Sequence, residues 1–213
     1  MLQETNIALY VIASLALIAT PGPDMIYVVT RGVAQGRRAA LVSACGVCSG
    51  LAVHTSFAAI GLSALLAQSA ATFSVVKYAG AAYLIYLGVK TLLSEESFAF
   101  SGETRPTKGL AGVFFQGVAS NVLNPKVALF FLAFLPQFVS PHAGSAVVQM
   151  LILGAVFALL GLLCLTLVAH FSGSLGERLG GSPRFARALR WFSGSVLVGL
   201  GLRLALPEHR QAT

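Results

Sequence analysis

Long apolar runs separated by short clusters of charge dominate the chain. Dividing it at its charged residues leaves six segments, at about residues 7–30, 39–67, 75–93, 109–139, 144–172 and 189–206. A helix needs about 20 mostly apolar residues to cross the hydrocarbon of a bilayer, so each segment reads as one crossing. The second contains no Asp, Glu, Lys or Arg, and the third carries only Lys77 and Lys90, near its ends. The fourth has one charge, Lys126, and the fifth has none apart from a proton on His170. The sixth, flanked by Arg190 and Arg203, is the shortest, and its loss would move the C-terminus to the other side. Helices are expected because an open sheet edge leaves backbone groups unpaired in lipid, and a barrel would alternate in polarity. The expected fold is therefore an all-α membrane protein with six transmembrane helices in a single domain.

The pattern repeats. Residues 7–93 and residues 109–206 each hold three segments, and in both halves the first is broken by proline near its middle, at Pro21 and Pro23 and again at Pro125. After the first break the chain runs into a basic loop, Arg31, Arg37 and Arg38; after the second it runs into residues 140–144, which contain no Lys or Arg. Equivalent segments thus leave on opposite faces, the consequence of an odd number of crossings per repeat and a recurrent transporter architecture. A fainter echo joins segments three and six, where Lys77-Tyr78-Ala79-Gly80 and Arg190-Trp191-Phe192-Ser193-Gly194 open alike. Residues 94–108, with Ser, Glu, Thr, Gly102 and Pro106, read as a surface linker between the halves.

Composition sharpens the membrane reading. Of 213 residues, 56% are hydrophobic and 10% are charged, against about 25% charged in a soluble domain. Disorder, which needs charge and few apolar residues, is excluded. The net charge of +7 does not point to nucleic acid, because the basic residues fall in small groups between apolar runs and form no stripe. It points to topology. With six crossings, one side receives Arg31, Arg37, Arg38, Lys90, Arg105, Lys108, Arg178, Arg184, Arg187 and Arg190, and the other only Lys77, Arg203 and Arg210. Cytoplasmic loops are enriched in Lys and Arg, which puts the loops after crossings one, three and five in the cytoplasm and both termini outside. Residues 1–6 hold Glu4 and no Lys or Arg, so the first run lacks the basic start of a cleaved signal peptide.

Asp24 is the leading functional candidate. A carboxylate inside a span costs roughly 2.5 to 3.5 kcal/mol on insertion scales, and it needs a partner, a proton or water. Irregular backbone at membrane depth is tolerated where it lines a cavity, and Pro21, Gly22 and Pro23 break the helix beside it. The bland alternative is that Asp24 only caps the half-helix that follows. The matching element is Asn121, Asn124, Pro125 and Lys126: Asn124 before Pro125 has the form of an N-cap with proline at the first helical position. Two helix N-termini and Lys126 facing one cavity suit the carboxylate of an amino acid, and Asp24 suits its ammonium. The competing reading is two kinked helices with Lys126 neutralising Asp24 as a buried pair.

Tyr27 shares a helix face with Asp24 and is in reach to hydrogen-bond it. His54, central in segment two, is either a cavity residue or proton relay, or a hydrogen-bonded packing histidine. His170 is placed at the interface, and Tyr78, Tyr83, Tyr86 and Trp191 suit interface anchors. Cys45-Gly46-Val47-Cys48 matches C-x-x-C, so transmembrane thiol-disulfide exchange is a rival function; the alternative is close helix packing through Gly46 and Gly50. Such small-residue faces also permit a homodimer. A passive channel is a further rival. No metal-ligand spacing, P-loop or nucleophile elbow is present, so neither a cofactor nor an enzyme activity is expected.

Three stretches carry a resemblance: Pro21-Gly22-Pro23-Asp24; Gly36-Arg37-Arg38 leading to Gly46, Gly50 and His54; and Asn121-Val122-Leu123-Asn124-Pro125-Lys126 continuing through Phe130-Phe131-Leu132-Ala133-Phe134-Leu135-Pro136-Gln137-Phe138. With the run from Tyr78 to Gly88, they resemble the LysE/RhtB family of amino-acid exporters over nearly the whole chain. The resemblance implies a bacterial inner-membrane exporter of amino acids or their derivatives, similar to the homoserine, threonine and neutral amino-acid exporters, driven by the proton gradient. Pro21 to Asp24 and Asn124 to Lys126 match the family's two motifs. Cys45 and Cys48 are not part of its pattern.

Overall fold

The computed structural model describes residues 4–68, 70–93, 109–140, 144–179 and 183–206. Within them the chain forms α1 (Glu4–Ala19), α2 (Pro23–Gln35), α3 (Arg37–Gln68), α4 (Ala70–Leu93), α5 (Leu110–Val122), α6 (Pro125–Ala133), a 3-10 turn (Leu135–Phe138), α7 (Ala146–Leu179) and α8 (Pro183–Ala205), with no strand among the described residues. The expected linker, residues 94–108, and the chain ends whose sides were assigned lie outside the described residues, as do Arg105, Lys108 and Arg210. Most helices exceed the apolar runs that foretold them; the largest extensions are at α2, which runs on to Gln35, α4, which starts at Ala70, α7, which runs on to Leu179, and α8, which starts at Pro183. Hydropathy marks where a helix is apolar, while backbone hydrogen bonding continues into polar flanks.

Among the described residues, two helices are individually long and apolar enough to cross a membrane, over Arg37–Gly61 in α3 and Ala146–Ser172 in α7. Two bent pairs reach the same length together, Ile7–Ala19 with Pro23–Gln35 at 51° and Leu110–Val122 with Pro125–Phe138 at 52°. Both bends have a local cause. Pro21 and Pro23 lack amide hydrogens and Gly22 is extended (φ −169°), so α1 stops and α2 restarts with proline in its first turn. At the second bend Asn124 is extended, its side chain accepts from the Lys126 amide at 3.1 Å, and Pro125 opens α6, the cap expected from sequence.

α3 lies at the centre, packed along α5 and α7, with α2 against both α3 and α7. Glycine permits the closest approaches: a methyl on Gly46 would fall 2.2 Å from the Phe114 carbonyl oxygen, and one on Gly117 2.8 Å from that of Ser43. The glycine faces that also suited a dimer are thus used inside the chain. α4 packs along α8. There a methyl on Gly88 would fall 2.8 Å from the Gly194 carbonyl oxygen and one on Gly201 2.8 Å from that of Ala81, so the two helices run antiparallel. The same spacing separates Ala81 from Gly194 as Gly88 from Gly201, and the two contacts exchange when the halves are swapped.

Large apolar side chains cover the outside: Phe57, Ile60, Phe115, Leu159 and Leu163 are all exposed. A soluble monomer rarely carries apolar patches on this scale, and lipid is the solvent in which such a surface costs little. Two clusters lie inside among the described residues. One joins the aromatic rings of Tyr10, Phe130, Phe131, Phe134, Phe138 and Phe157 to leucines such as Leu17, Leu51 and Leu153; the other is aliphatic and small, with Val28, Ala40, Ala44, Val47, Leu165 and Ala169.

Candidate functional site

Between the two clusters the breaks meet. Asp24 sits in the first turn of α2, where the helix dipole favours a carboxylate. It does not cap that helix; Gly22 is the N-cap. Its carboxylate instead reaches the other half of the chain. Oδ1 accepts from Ser120 Oγ at 3.1 Å, and Oδ2 accepts from Asn121 Nδ2 at 2.9 Å and Asn124 Nδ2 at 3.0 Å. Asn124 therefore has two duties, since its Oδ1 caps α6 while its amide holds Asp24.

Lys126 returns the contact. Its ammonium donates to the carbonyl oxygens of Leu17 at 2.9 Å and Thr20 at 2.7 Å, at the end of α1, where unpaired carbonyls and the negative end of the dipole favour a cation. A methyl on Gly22 would stand 3.1 Å from that ammonium nitrogen, so the bare glycine leaves it room. Each charge is thus held by groups of the opposite break, and Lys126 is not spent on a direct ion pair with Asp24.

These residues border a cavity of about 40 Å³, room for roughly three waters. Thr20, Asp24, Asn121 and Lys126 supply its polar side; Val47, Cys48, Leu51, Phe157, Gly161 and Leu165 supply an apolar wall from α3 and α7. Asn121 is 1% exposed, and its Oδ1 has no hydrogen-bond partner. An unpaired buried acceptor costs about 1 to 3 kcal/mol, and this one lies against α3, 2.9 Å from where a methyl on Gly50 would stand.

Of the residues singled out from sequence, Asp24, Asn121 and Lys126 line this cavity and Asn124 braces it, with Pro21, Gly22, Pro23 and Pro125 forming the breaks. Tyr27 is elsewhere. Its hydroxyl donates to the Val113 carbonyl oxygen at 2.6 Å, so the expected bond to Asp24 is replaced by a bond to α5, an acceptor that the face of α2 alone does not reveal. His54 is 7% exposed and does not line the cavity. Its Nε2 lies 2.9 Å from the Asn121 carbonyl oxygen, which only accepts, so Nε2 carries the hydrogen and ties α3 to the end of α5. Cys45 faces outward and Cys48 faces the cavity, both as free thiols. His170, Tyr78, Tyr86 and Trp191 are exposed, as interface residues need to be.

Two contributors were not foreseen. Ser120 adjoins Asn121 and carries no charge to draw notice. Arg31, counted only as a loop cation, is 3% exposed on α2, donates to Gln116 Oε1 and lies over the Tyr27 ring at 5.4 Å. Its spacing of seven residues from Asp24, two helical turns on the same face, was the available signal. Among the described residues, no group of His, Cys, Asp and Glu could hold a metal ion.

A family model described as LysE type translocator matches residues 15–208. The chain belongs to that family. This LysE type translocator is 30% identical over 200 residues to the homoserine/homoserine lactone efflux protein of Salmonella typhimurium, covering 94% of this chain and 96% of the relative. It is 27% identical over 199 residues to the leucine efflux protein of Salmonella choleraesuis, covering 92% of each. It is also 30% identical over 205 residues to the uncharacterized membrane protein YrhP of Bacillus subtilis, covering 92% of this chain and 97% of the relative. No solved structure gives a significant match. Family membership, the apolar exterior and the candidate crossings make the chain a multi-pass membrane protein, and a transporter rather than an enzyme.

Proposed function

We propose that this translocator exports a small amino acid or amino-acid derivative from the cytoplasm, exchanging it for protons. The observation that carries the reading is that Asp24 and Lys126, at the two breaks, border one cavity inside a membrane helix bundle. An amino acid has the complementary charges. Its ammonium finds an acceptor in Asp24, and its carboxylate finds the Lys126 ammonium. Relatives named as homoserine and leucine efflux proteins support the same substrate class. Asp24 carries the returning proton: protonation removes the acceptor that holds the substrate ammonium, which couples proton entry to substrate release.

The proposed frame is six crossings in two inverted repeats, the two bent pairs counting as one crossing each. The antiparallel pair α4 and α8, whose contacts exchange between halves, supports it. So does the placement of the cations. Arg31 lies near the end of α2, Arg37 and Arg38 open α3, Lys90 ends α4, and Arg187 and Arg190 lie in the first turns of α8. The excess of basic residues at this end makes it cytoplasmic, with both termini outside.

In this frame the cytoplasmic end is closed. Tyr27 and Arg31 fasten α2 to α5, and a methyl on Gly32 would overlap Ser172 of α7, 1.9 Å from its Oγ. Substrate entry requires α2 to move from α5 and α7; exit requires the aromatic cluster around Phe130 and Phe131 to part. Two gates on opposite sides of one site are what alternating access needs. The test is expression in a host sensitive to amino acids, challenged with single amino acids and analogues. Increased tolerance with faster efflux of at least one is expected; a panel in which none is better tolerated and none leaves faster contradicts export.

A further inference from the structure

Within that export reading, on which the following rests, the family and the cavity's charges leave the substrate side chain unspecified. The glycines separate into two kinds. At Gly46, Gly50, Gly117 and Gly154 an added methyl carbon would fall under 3.0 Å from atoms of a neighbouring helix, so glycine there is demanded by helix packing. Gly161 is different. It lies two turns beyond Gly154 on α7, on the same face, and the nearest atoms to its missing methyl are Leu51 Cδ1 at 3.7 Å and Cys48 Sγ at 3.9 Å. Those are ordinary contact distances, and both side chains line the cavity. The face that is jammed against Thr55 at Gly154 therefore has room for one added carbon at Gly161, which itself borders the cavity.

We infer that Gly161 is the specificity-determining position of this transporter, a notch that admits the substrate side chain. The notch limits the substrate to α-amino acids with an uncharged, short aliphatic side chain. Its surroundings fix the chemistry. Leu51, Phe157 and Leu165 offer no hydrogen-bonding group and Cys48 only a weak one, so a charged side chain would be left unpaired. The polar side of the cavity is occupied by the α-ammonium and α-carboxylate, which leaves the apolar wall for the remainder of the molecule. The cavity is small enough that single carbons matter, and one methylene in an apolar pocket is worth roughly tenfold or more in discrimination.

The test is a size series at one position. Efflux of glycine, alanine, homoserine, valine, leucine and phenylalanine is compared for wild type, Gly161→Ala, Gly161→Val and the control Gly199→Val. Gly199 lies on α8 with nothing within 4 Å of an added methyl. Gly161→Ala has room for its carbon, so it folds and keeps the smallest substrates while weakening the largest that wild type exports. Gly161→Val loses that largest substrate by about tenfold or more relative to the smallest. Leu51→Ala in the Gly161→Val background restores it, and Gly199→Val leaves the order of preference unchanged. A uniform fall across the panel in Gly161→Ala, or an unchanged size order in both Gly161 variants, overturns the inference while leaving amino-acid export standing. A wild type that moves none of the six but exports another amino acid overturns this inference alone, and one that exports no amino acid or analogue overturns the export reading with it.

Discussion

Asp24 and Lys126 occupy the same position in their two breaks, each directly after the proline that opens the second half-helix, and each is held by the opposite break. The carboxylate takes its donors from the end of α5 and the cap of α6; the ammonium takes its acceptors from the end of α1. The two charges are interlocked without being paired, and both keep a side toward the cavity.

Because they are not a direct pair, neutralising both does not restore what neutralising one removes. Asp24→Asn and Lys126→Met each lower export by about tenfold or more, the scale of a lost charge-assisted hydrogen bond. The double variant is no better than either single one. Initial efflux rates at matched expression check this, and recovery in the double variant would reinstate the buried-pair reading.

Asn124 separates folding from function. Asn124→Ser keeps a capping oxygen for α6 and loses the donor to Asp24, so its stability stays close to wild type while export falls. Asn124→Ala loses both and costs about 1 to 2 kcal/mol of stability in addition. Thermal melts of the purified protein beside efflux rates distinguish them.

His54 acts through the Asn121 carbonyl oxygen. His54→Gln retains a donor at that site and keeps export within a factor of about five, the scale of one neutral hydrogen bond, with an unchanged pH profile. A pH profile flattened by His54→Gln would make the imidazole a proton relay.

Tyr27 fastens α2 to α5 and does not serve Asp24. Tyr27→Phe weakens closure at the end bearing Arg31 by about 1 kcal/mol, so thiol reagents applied from that side label Cys48 faster. The test is maleimide labelling of Cys48 in a variant lacking Cys45 and Cys164. An unchanged rate would contradict the latch.

The breaks were legible in the sequence because proline and glycine act on the backbone where they stand: Pro23 and Pro125 each open a half-helix, and Asn124 caps the second as its residue type foretold. Asp24 and Lys126 were legible because charge is rare in these spans. The partners of Lys126 were not, since the oxygens of Leu17 and Thr20 belong to the main chain and leave no mark on residue choice. Tyr27 shows the limit of helix-face reasoning: sharing a face with Asp24 put it in reach, but its hydroxyl donates to the Val113 carbonyl of a packed neighbour, α5. Gly161 shows another limit, because a glycine that permits packing and one that leaves a notch read identically until distances are known.

The most direct measurement is efflux of a preloaded amino acid from oriented proteoliposomes when the outside is acidified, for wild type and Asp24→Asn. Wild-type efflux accelerates on acidification, and Asp24→Asn efflux does not respond to the gradient. An Asp24→Asn protein that responds as wild type does would show that the proton travels elsewhere and would contradict the role assigned to the carboxylate.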